Sequence, residues 1–325
     1  MKGNSILKKF WNDIDYGDNI QYLIKNDDYM VMRLQEESGE GIMTIYNIFP
    51  GVILMFNDFH MGRCYSGFHT TANLLCIDHC REGCMEQEME KNAYTYLEAG
   101  DFRIDSRINH SGEVTFPLNH YHGISIGINV SEAQESLKNE LKGFSVNLKD
   151  LKRKYCEDKK SYVIRGEAGI SHIFSELYHV PVKIKKDYFR IKIFELLLYL
   201  DAVELDLHKK EIQYFYKGQV EKIKAIQKTL VEDLTTYYTI PELSKKFNIS
   251  QTSLKNCFKA VYGNSIFRYM QVYRINVGAS MLKKKRDMSI SEIAASVGYF
   301  SPSKFTVAFR KIIGKTPLEY RKNIN

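Results

Sequence analysis

The chain has 325 residues and no long hydrophobic run. Its longest apolar stretch, "IFELLLYL" at 193–200, is too short to cross a bilayer as a helix. The opening "MKGNSILKKFW" has no apolar core of export-signal length. Cysteine is scarce as well. Six cysteines without an export signal read as free thiols in a reducing compartment, so the expected location is the cytoplasm. Cys76, Cys80 and Cys84 fall at i, i+4 and i+8 with His79 beside them, which is not a zinc-ligand spacing. They read as small apolar side chains.

Negative charge is scarce in one place only. From Gln219 to the end there are 19 Lys and Arg against 7 Asp and Glu. That leaves 27 of the 46 basic and 32 of the 39 acidic residues for the remainder. A basic last third on an acidic body suggests that one segment meets a polyanion while the rest does something else. A chain this long holds more than one domain.

Hydrophobic periodicity divides the chain into three parts. Residues 1–145 read as short strands: "YMVMRL" at 29–34, "GIMTIY" at 41–46, "GVILMF" at 51–56, "NLLCIDH" at 73–79 and "HGISIGIN" at 122–129. Turn residues separate them, as at Gly100-Asp101. Such a pattern predicts a sandwich or small barrel. Residues 146–218 take on helical period, with Asn147 a candidate cap. Within them, 184–205 carries an apolar stripe wider than a surface helix needs. Such a helix is either well buried or paired with a second copy of itself. The polar stretch 207–219 marks a boundary, giving a third part at 219–325.

The third part repeats itself. "TIPELSKKFNIS" at 239–250 aligns with "SISEIAASVGYFS" at 289–301. Thr239 with Glu242, and Ser289 with Glu292, have capping-box spacing and start two helices. Ser250 and Ser301 each open a second helix, and Gly263 and Gly314 each stop it. Leu254, Cys257, Phe258 and Val261 share one helical face; Phe305, Ala308, Phe309 and Ile312 repeat it. Two short helices joined by a tight turn describe a helix-turn-helix. Between the two copies lies "SIFRYMQVYRINVGASMLKKKR", 265–286. About twenty helical residues span about 30 Å, close to the roughly 34–36 Å between successive major grooves on one face of DNA. One rigid helix would hold two reading heads a DNA turn apart.

At this point the sequence resembles a known family. "SISEIAASVGYFSPSKFTVAFRKIIGKTPLEYRK" is similar to the DNA-binding domain of the AraC/XylS family of bacterial transcription regulators. The resemblance implies seven helices holding two helix-turn-helix units, and double-stranded DNA as partner. Helical geometry places Thr252, Lys255, Asn256 and Lys259 on the outward face of the first recognition helix. Ser303, Lys304, Thr306, Val307 and Arg310 occupy that of the second. Lys suits guanine or phosphate, and Asn suits adenine. Members of the family usually have a basic residue where Val307 stands, so the second unit is expected to read bases less specifically. They tend to have Ala at Gly278, which leaves close packing or a bend to explain the glycine. The "KKKR" at 283–286 complements the helix dipole or touches phosphate.

The strand-rich front looks like the cupin-type barrel that many members place before the DNA-binding domain. That resemblance implies a small-molecule effector inside the barrel and a dimerising helix outside it. Phe189, Ile193, Leu196, Leu197 and Leu200 are the expected seam of a homodimer. Cupin enzymes bind metal through a His pair with a Glu and another His. Here His120 and His122 form an HxH, but "GISIGIN" after them offers no Glu, and His60, His69, His79 and His110 have no fixed spacing. No metal, no cofactor and no catalytic residue is therefore expected.

The expected architecture is multidomain α+β: a cupin-like barrel (1–145), a helical dimerisation segment (146–218) and an all-α double helix-turn-helix domain (219–325). The expected function is an effector-controlled transcription regulator, with RNA polymerase as a further partner and no membrane. Two alternatives stand beside it: a cupin-type metalloenzyme fused to a DNA-binding domain, and a regulator that senses a partner protein.

Overall fold

The computed structural model describes residues 14–16, 18–70, 72–89, 92–107, 112–156, 162–164, 167–204, 215–285 and 287–322. His110, Arg286 and most of the 207–219 boundary stretch lie outside the described residues. The chain forms two compact units, Met1–Tyr214 and Phe215–Asn325.

The first unit is built on antiparallel strands. These are β1 (Ile14–Asp15), β2 (Ile20–Lys25), β3 (Tyr29–Glu36), β4 (Gly39–Phe49), β5 (Val52–His60), β6 (Arg63–Ser66) and β7 (His69–Thr70). They continue as β8 (Leu74–Met89), β9 (Ala93–Glu98), β10 (Phe102–Asp105), β11 (Gly112–Thr115), β12 (Tyr121–Asn129) and β13 (Tyr162–Ile164). The main sheet runs β13-β10-β8-β12-β5-β4-β3-β2, and β8 is long enough to pair also with β9 and β11. Gly100 takes φ +90° in the turn between β9 and β10, where a side chain would be strained.

Alternation along the strands separates two cores. Val52 and Leu54 of β5, Leu75 and Ile77 of β8, and Ile124, Ile126 and Ile128 of β12 belong to one. Ile53 and Phe59, Leu74 and Cys76, and Tyr121 belong to the other, on the opposite face. The first face is covered by helices: α1 (Val130–Glu140), α2 (Leu148–Cys156), α3 (Ala168–Leu177) and α4 (Lys185–Ala202). Asn129 caps α1, accepting from the Glu132 N–H at 3.3 Å, and Asn147 accepts from the Lys149 N–H at 3.0 Å to start α2.

Two boundaries differ from the sequence reading. α1 begins inside the stretch read as all strand. β13, in the stretch read as helical, pairs with β10. The helices and the sheet share one core, because the sheet face needs an apolar cover.

The dimer seam is corrected for the same reason. Phe189, Ile193, Leu196, Leu197 and Leu200 are all buried inside this chain, against α3 and the sheet face. Each such side chain stabilises by about 1.5–3 kcal/mol when buried. They cannot also form a surface between copies.

The second unit contains α5 (Lys217–Glu232), α6 (Ile240–Lys246), α7 (Gln251–Tyr262), α8 (Ile266–Lys284), α9 (Ile290–Ser296), α10 (Pro302–Ile313) and α11 (Pro317–Lys322). Seven helices thus appear among the described residues of this unit. The 19-residue α8 packs against α7, α9, α10 and α11, so it is the axis on which both halves are mounted.

Candidate nucleic-acid interface and interior cavity

Each helix-turn-helix is fixed by local chemistry. The Thr239 and Ser289 hydroxyls accept from the Glu242 and Glu292 N–H groups, and those carboxylates accept in return from the Thr239 and Ser289 N–H groups at 2.7 Å. These hydrogen bonds hold both glutamates below the ordinary carboxylate range. Ser250 and Ser301 accept from the third residue of α7 and α10. Gly263 and Gly314 close the same helices in the left-handed conformation, φ +69° and +83°.

The two turns differ in length. The first runs Phe247-Asn248-Ile249 into Ser250; the second runs Val297-Gly298-Tyr299-Phe300 into Ser301. Asn248 and Gly298 both take positive φ, so they are equivalent, and Phe300 is the extra residue. It is 90% exposed and stacks on Tyr237 with ring centroids 5.9 Å apart. The turn is tied down from α8. Arg274, buried, donates to the Leu234 and Thr236 carbonyls at 3.0 and 3.2 Å and lies 4.0 Å over the Tyr237 ring. The Tyr237 hydroxyl donates to the Gly298 carbonyl.

Thr252, Lys255, Asn256 and Lys259 are exposed on α7, and Ser303, Lys304 and Arg310 on α10. Thr306 is half-buried, and its hydroxyl donates to the Pro302 carbonyl at 2.9 Å within its own helix. Val307 is 70% exposed at the centre of the α10 face. The first face thus offers two amines, an amide and a hydroxyl; the second offers a hydroxyl and two charges around an apolar centre.

The first unit holds a cavity on the sheet face away from the helices. It holds about 130 Å³ of free space. Its wall is largely apolar, including Leu34, Met43, Met55, Phe59, Met85 and Phe116. A buried polar cluster interrupts it. Asp78 receives Arg103 Nη2 at 2.7 Å, Arg107 Nη2 at 2.6 Å and the Ser125 hydroxyl at 2.6 Å. Asn57 donates to Ser125, and Asp105 lies 3.3 Å from Arg103 and 3.2 Å from Arg107. Burial would raise the Asp78 carboxyl, but Arg107 and Arg103 outweigh it and hold it well below the ordinary range. Two arginines face two aspartates, so the cluster is close to neutral. Tyr16 and Tyr121 also line the cavity, and neither buried hydroxyl has a hydrogen-bond partner among the described residues.

Sequence reasoning missed this cluster. Its members come from β5, β8, β10 and the stretch just after it, β12 and the residue after β1; only Arg103, Asp105 and Arg107, at i, i+2 and i+4, share a local spacing. The cysteine reading is consistent with the structure: all six are buried, and burial raises Cys76, Cys80 and Cys84 well above an ordinary thiol. His120 and His122 do not act as a strand pair. His120 precedes β12, and its Nδ1 lies 3.0 Å from the Leu118 carbonyl.

Two helix-turn-helix units on one shared helix define the class of this protein. A family model described as a helix-turn-helix domain matches residues 243–323. The HTH-type transcriptional activator RhaR of Yersinia pseudotuberculosis serotype O:1b (strain IP 31758) is 28% identical over 139 residues, 42% of this chain and 48% of that protein. RhaR of Yersinia pestis bv. Antiqua (strain Angola) is 29% identical over the same shares. The chain spans less than half the length of these relatives. Among solved structures, ToxT from Vibrio cholerae covers 83% of this chain and 98% of its own, at 14% identity and TM-score 0.30. An AraC-type regulator from Chromobacterium violaceum covers 33% and 95%, at 20% identity and TM-score 0.31. The matched residues 243–323 are similar to the helix-turn-helix part of AraC-type transcription regulators. Among the described residues no helix is long and apolar enough to cross a membrane.

Proposed function

We propose that this chain is a sequence-specific DNA-binding transcription regulator, controlled by a small molecule held in the cavity of its first unit. The carrying observation is α8. Its 19 residues give about 28 Å at 1.5 Å per residue, which suits two recognition helices entering successive major grooves. The exposed Lys255, Asn256 and Lys259 support base and phosphate contacts by α7, and the names of the curated relatives agree with a regulator. Thr306 spends its hydroxyl on its own helix and Val307 is apolar. α10 therefore reads bases less specifically, and α7 carries most of the specificity.

The effector reading rests on the cavity. An apolar wall with a few converging polar groups is the usual form of a small-molecule site. The Tyr16 and Tyr121 hydroxyls are buried without partners among the described residues, at a cost a bound acceptor would remove. The neutral Arg–Asp cluster favours an uncharged or weakly polar ligand. In this reading the strands form the cupin-like barrel that the sequence suggests, and no catalytic step is assigned.

The chain acts as a homodimer in this reading, through the outer face of α4. Ile191 and Leu198 are exposed there, and Ile184, just before the helix, continues the same seven-residue spacing, the period of a helix–helix seam.

Fluorescence anisotropy of the full-length chain on duplex DNA, across a salt series, tests the DNA reading. Affinity should fall steeply with salt; an affinity independent of salt would sink it. Native mass spectrometry of the protein taken directly from expression tests the effector. An added small mass supports the cavity reading, and a clean chain at every charge state moves weight to a protein partner as the signal.

A further inference from the structure

The sheet carries a second polar group, on the face away from the cavity. Along β5, Met55, Asn57 and Phe59 line the cavity, so alternation sends Asp58 and His60 to the other side. β12 runs antiparallel to β5 with His122 directly opposite Asp58. Register thus gathers three side chains from distant parts of the sequence. Asp58 Oδ1 lies 2.9 Å from His60 Nε2 and 3.0 Å from His122 Nε2. The ligand-type atoms of all three lie within 4.8 Å of one another. The His60 and His122 rings meet edge to face at 5.1 Å. His122 Nε2 is buried and has no hydrogen-bond partner among the described residues, although the Asp58 oxygen is so near. A directed Asp–His hydrogen bond would have satisfied it.

We propose that Asp58, His60 and His122 form a site for a divalent transition-metal ion of the zinc, cobalt or nickel kind. Two imidazole nitrogens and a carboxylate oxygen are a donor set these ions prefer. Ligand atoms around a tetrahedral ion, each about 2.0–2.1 Å from it, stand roughly 3.3 Å apart. The separations from Asp58 Oδ1 are already close to that.

The surroundings fit a cation. Glu40 stands opposite His60 on β4, and Glu82 stands opposite His122 on β8. Arg33 and Arg81 pair with these two glutamates rather than with Asp58. Among the described residues His120 is the nearest further imidazole, with its ring centroid 6.1 Å from that of His122. Its Nδ1 is engaged by the Leu118 carbonyl, so Nε2 is the nitrogen left to bind, as in orientation of a ligand by an outer hydrogen bond. Asp58 and His60 are exposed and His122 is half-buried, so an ion reaches them without unfolding. The site shares no residue with the cavity or the recognition helices. A metal here would be a separate input to the first unit.

The test uses full-length protein stripped with a chelator, then titrated with Zn²⁺ calorimetrically and with Co²⁺ by visible absorption. One saturable equivalent per chain is expected, with Co²⁺ bands of a low-coordinate site. His122→Ala and His60→Ala should each weaken binding at least about 10-fold, and the double variant should abolish the bands. Asp58→Asn, nearly isosteric, should weaken binding with the metal-free melting temperature unchanged, which separates ligand loss from misfolding. Binding that survives in the double variant, or no saturable binding by the wild type, would overturn the proposal.

Discussion

Gly278 faces the ring of Phe305 so closely that a β-carbon there would stand 3.0 Å from both Cε2 and Cζ. The glycine is a packing requirement, not a bend. It lets the recognition helix α10 seat its largest buried side chain against the shared helix α8. Alanine would add about 1 kcal/mol of helix propensity, but overpacking a filled core typically costs about 1–3 kcal/mol. Phe305 is fully buried between Tyr299 and Phe309 and has little room to retreat. Gly278→Ala should therefore lower the melting temperature of the second unit, and Phe305→Leu in the same chain should restore part of it. A Gly278→Ala protein as stable as wild type would mean the ring shifts freely.

The two recognition helices should fail differently. Asn256→Ala removes an exposed amide from α7, so preference should relax at one or two positions of a selected site, with about 1–3 kcal/mol lost on the best sequence. Arg310→Ala removes a charge from the last turn of α10. It should weaken every sequence alike and reduce the salt slope by about one. Sequence selection followed by anisotropy reads both. Unchanged base preference in the Asn256 variant would place the reading head elsewhere.

His79 predicts a pH dependence in the first unit. It is stacked between Phe102 and Phe174, 4.9 and 4.7 Å from their ring centroids. Burial, with Arg81 adding to it, pushes the imidazole down to about 4. The unfolded chain binds the proton near pH 6.5, and the folded chain does not until near 4. Stability from this group is thus complete above about pH 6.5 and lost as pH falls toward 4, on the order of 2 kcal/mol by pH 5. His79→Phe should flatten the melting temperature between pH 7.5 and 5 relative to wild type. A parallel pH profile in the variant would show that the stacked ring is protonated in the fold.

How much of this was legible follows from how local each feature is. Capping boxes, left-handed glycines and a seven-residue face each need fewer than a dozen consecutive residues. The repeated unit could therefore be read directly, though the extra Phe300 in the second turn needed the backbone. Asp78 with Arg103 and Arg107, or Asp58 with His122, depend on strand order and register. Neither leaves a local signature, because a shift of one residue would reverse every face. The helix α4 lies between these cases. Its wide stripe showed that it was buried but not against what. Only the sheet face of Val52, Leu54, Ile124 and Ile126, which needed cover, decides that the stripe turns inward.

The same helix gives the last prediction. With its broad face turned to the core, α4 has Ile191 and Leu198, with Ile184 just before it, to offer a second copy, and Ile191 is the most exposed of the three at 60%. Asp187 and Glu195 flank it on the same side. A charge at its centre would lie next to these carboxylates in both copies and repel across the seam. Ile191→Glu should convert a dimer to a monomer in sedimentation equilibrium and leave the fold intact, because the residue contributes nothing to the core. Leu196→Glu should instead unfold the first unit, since its site is interior. A dimer that tolerates Ile191→Glu would place the seam on another surface of the chain.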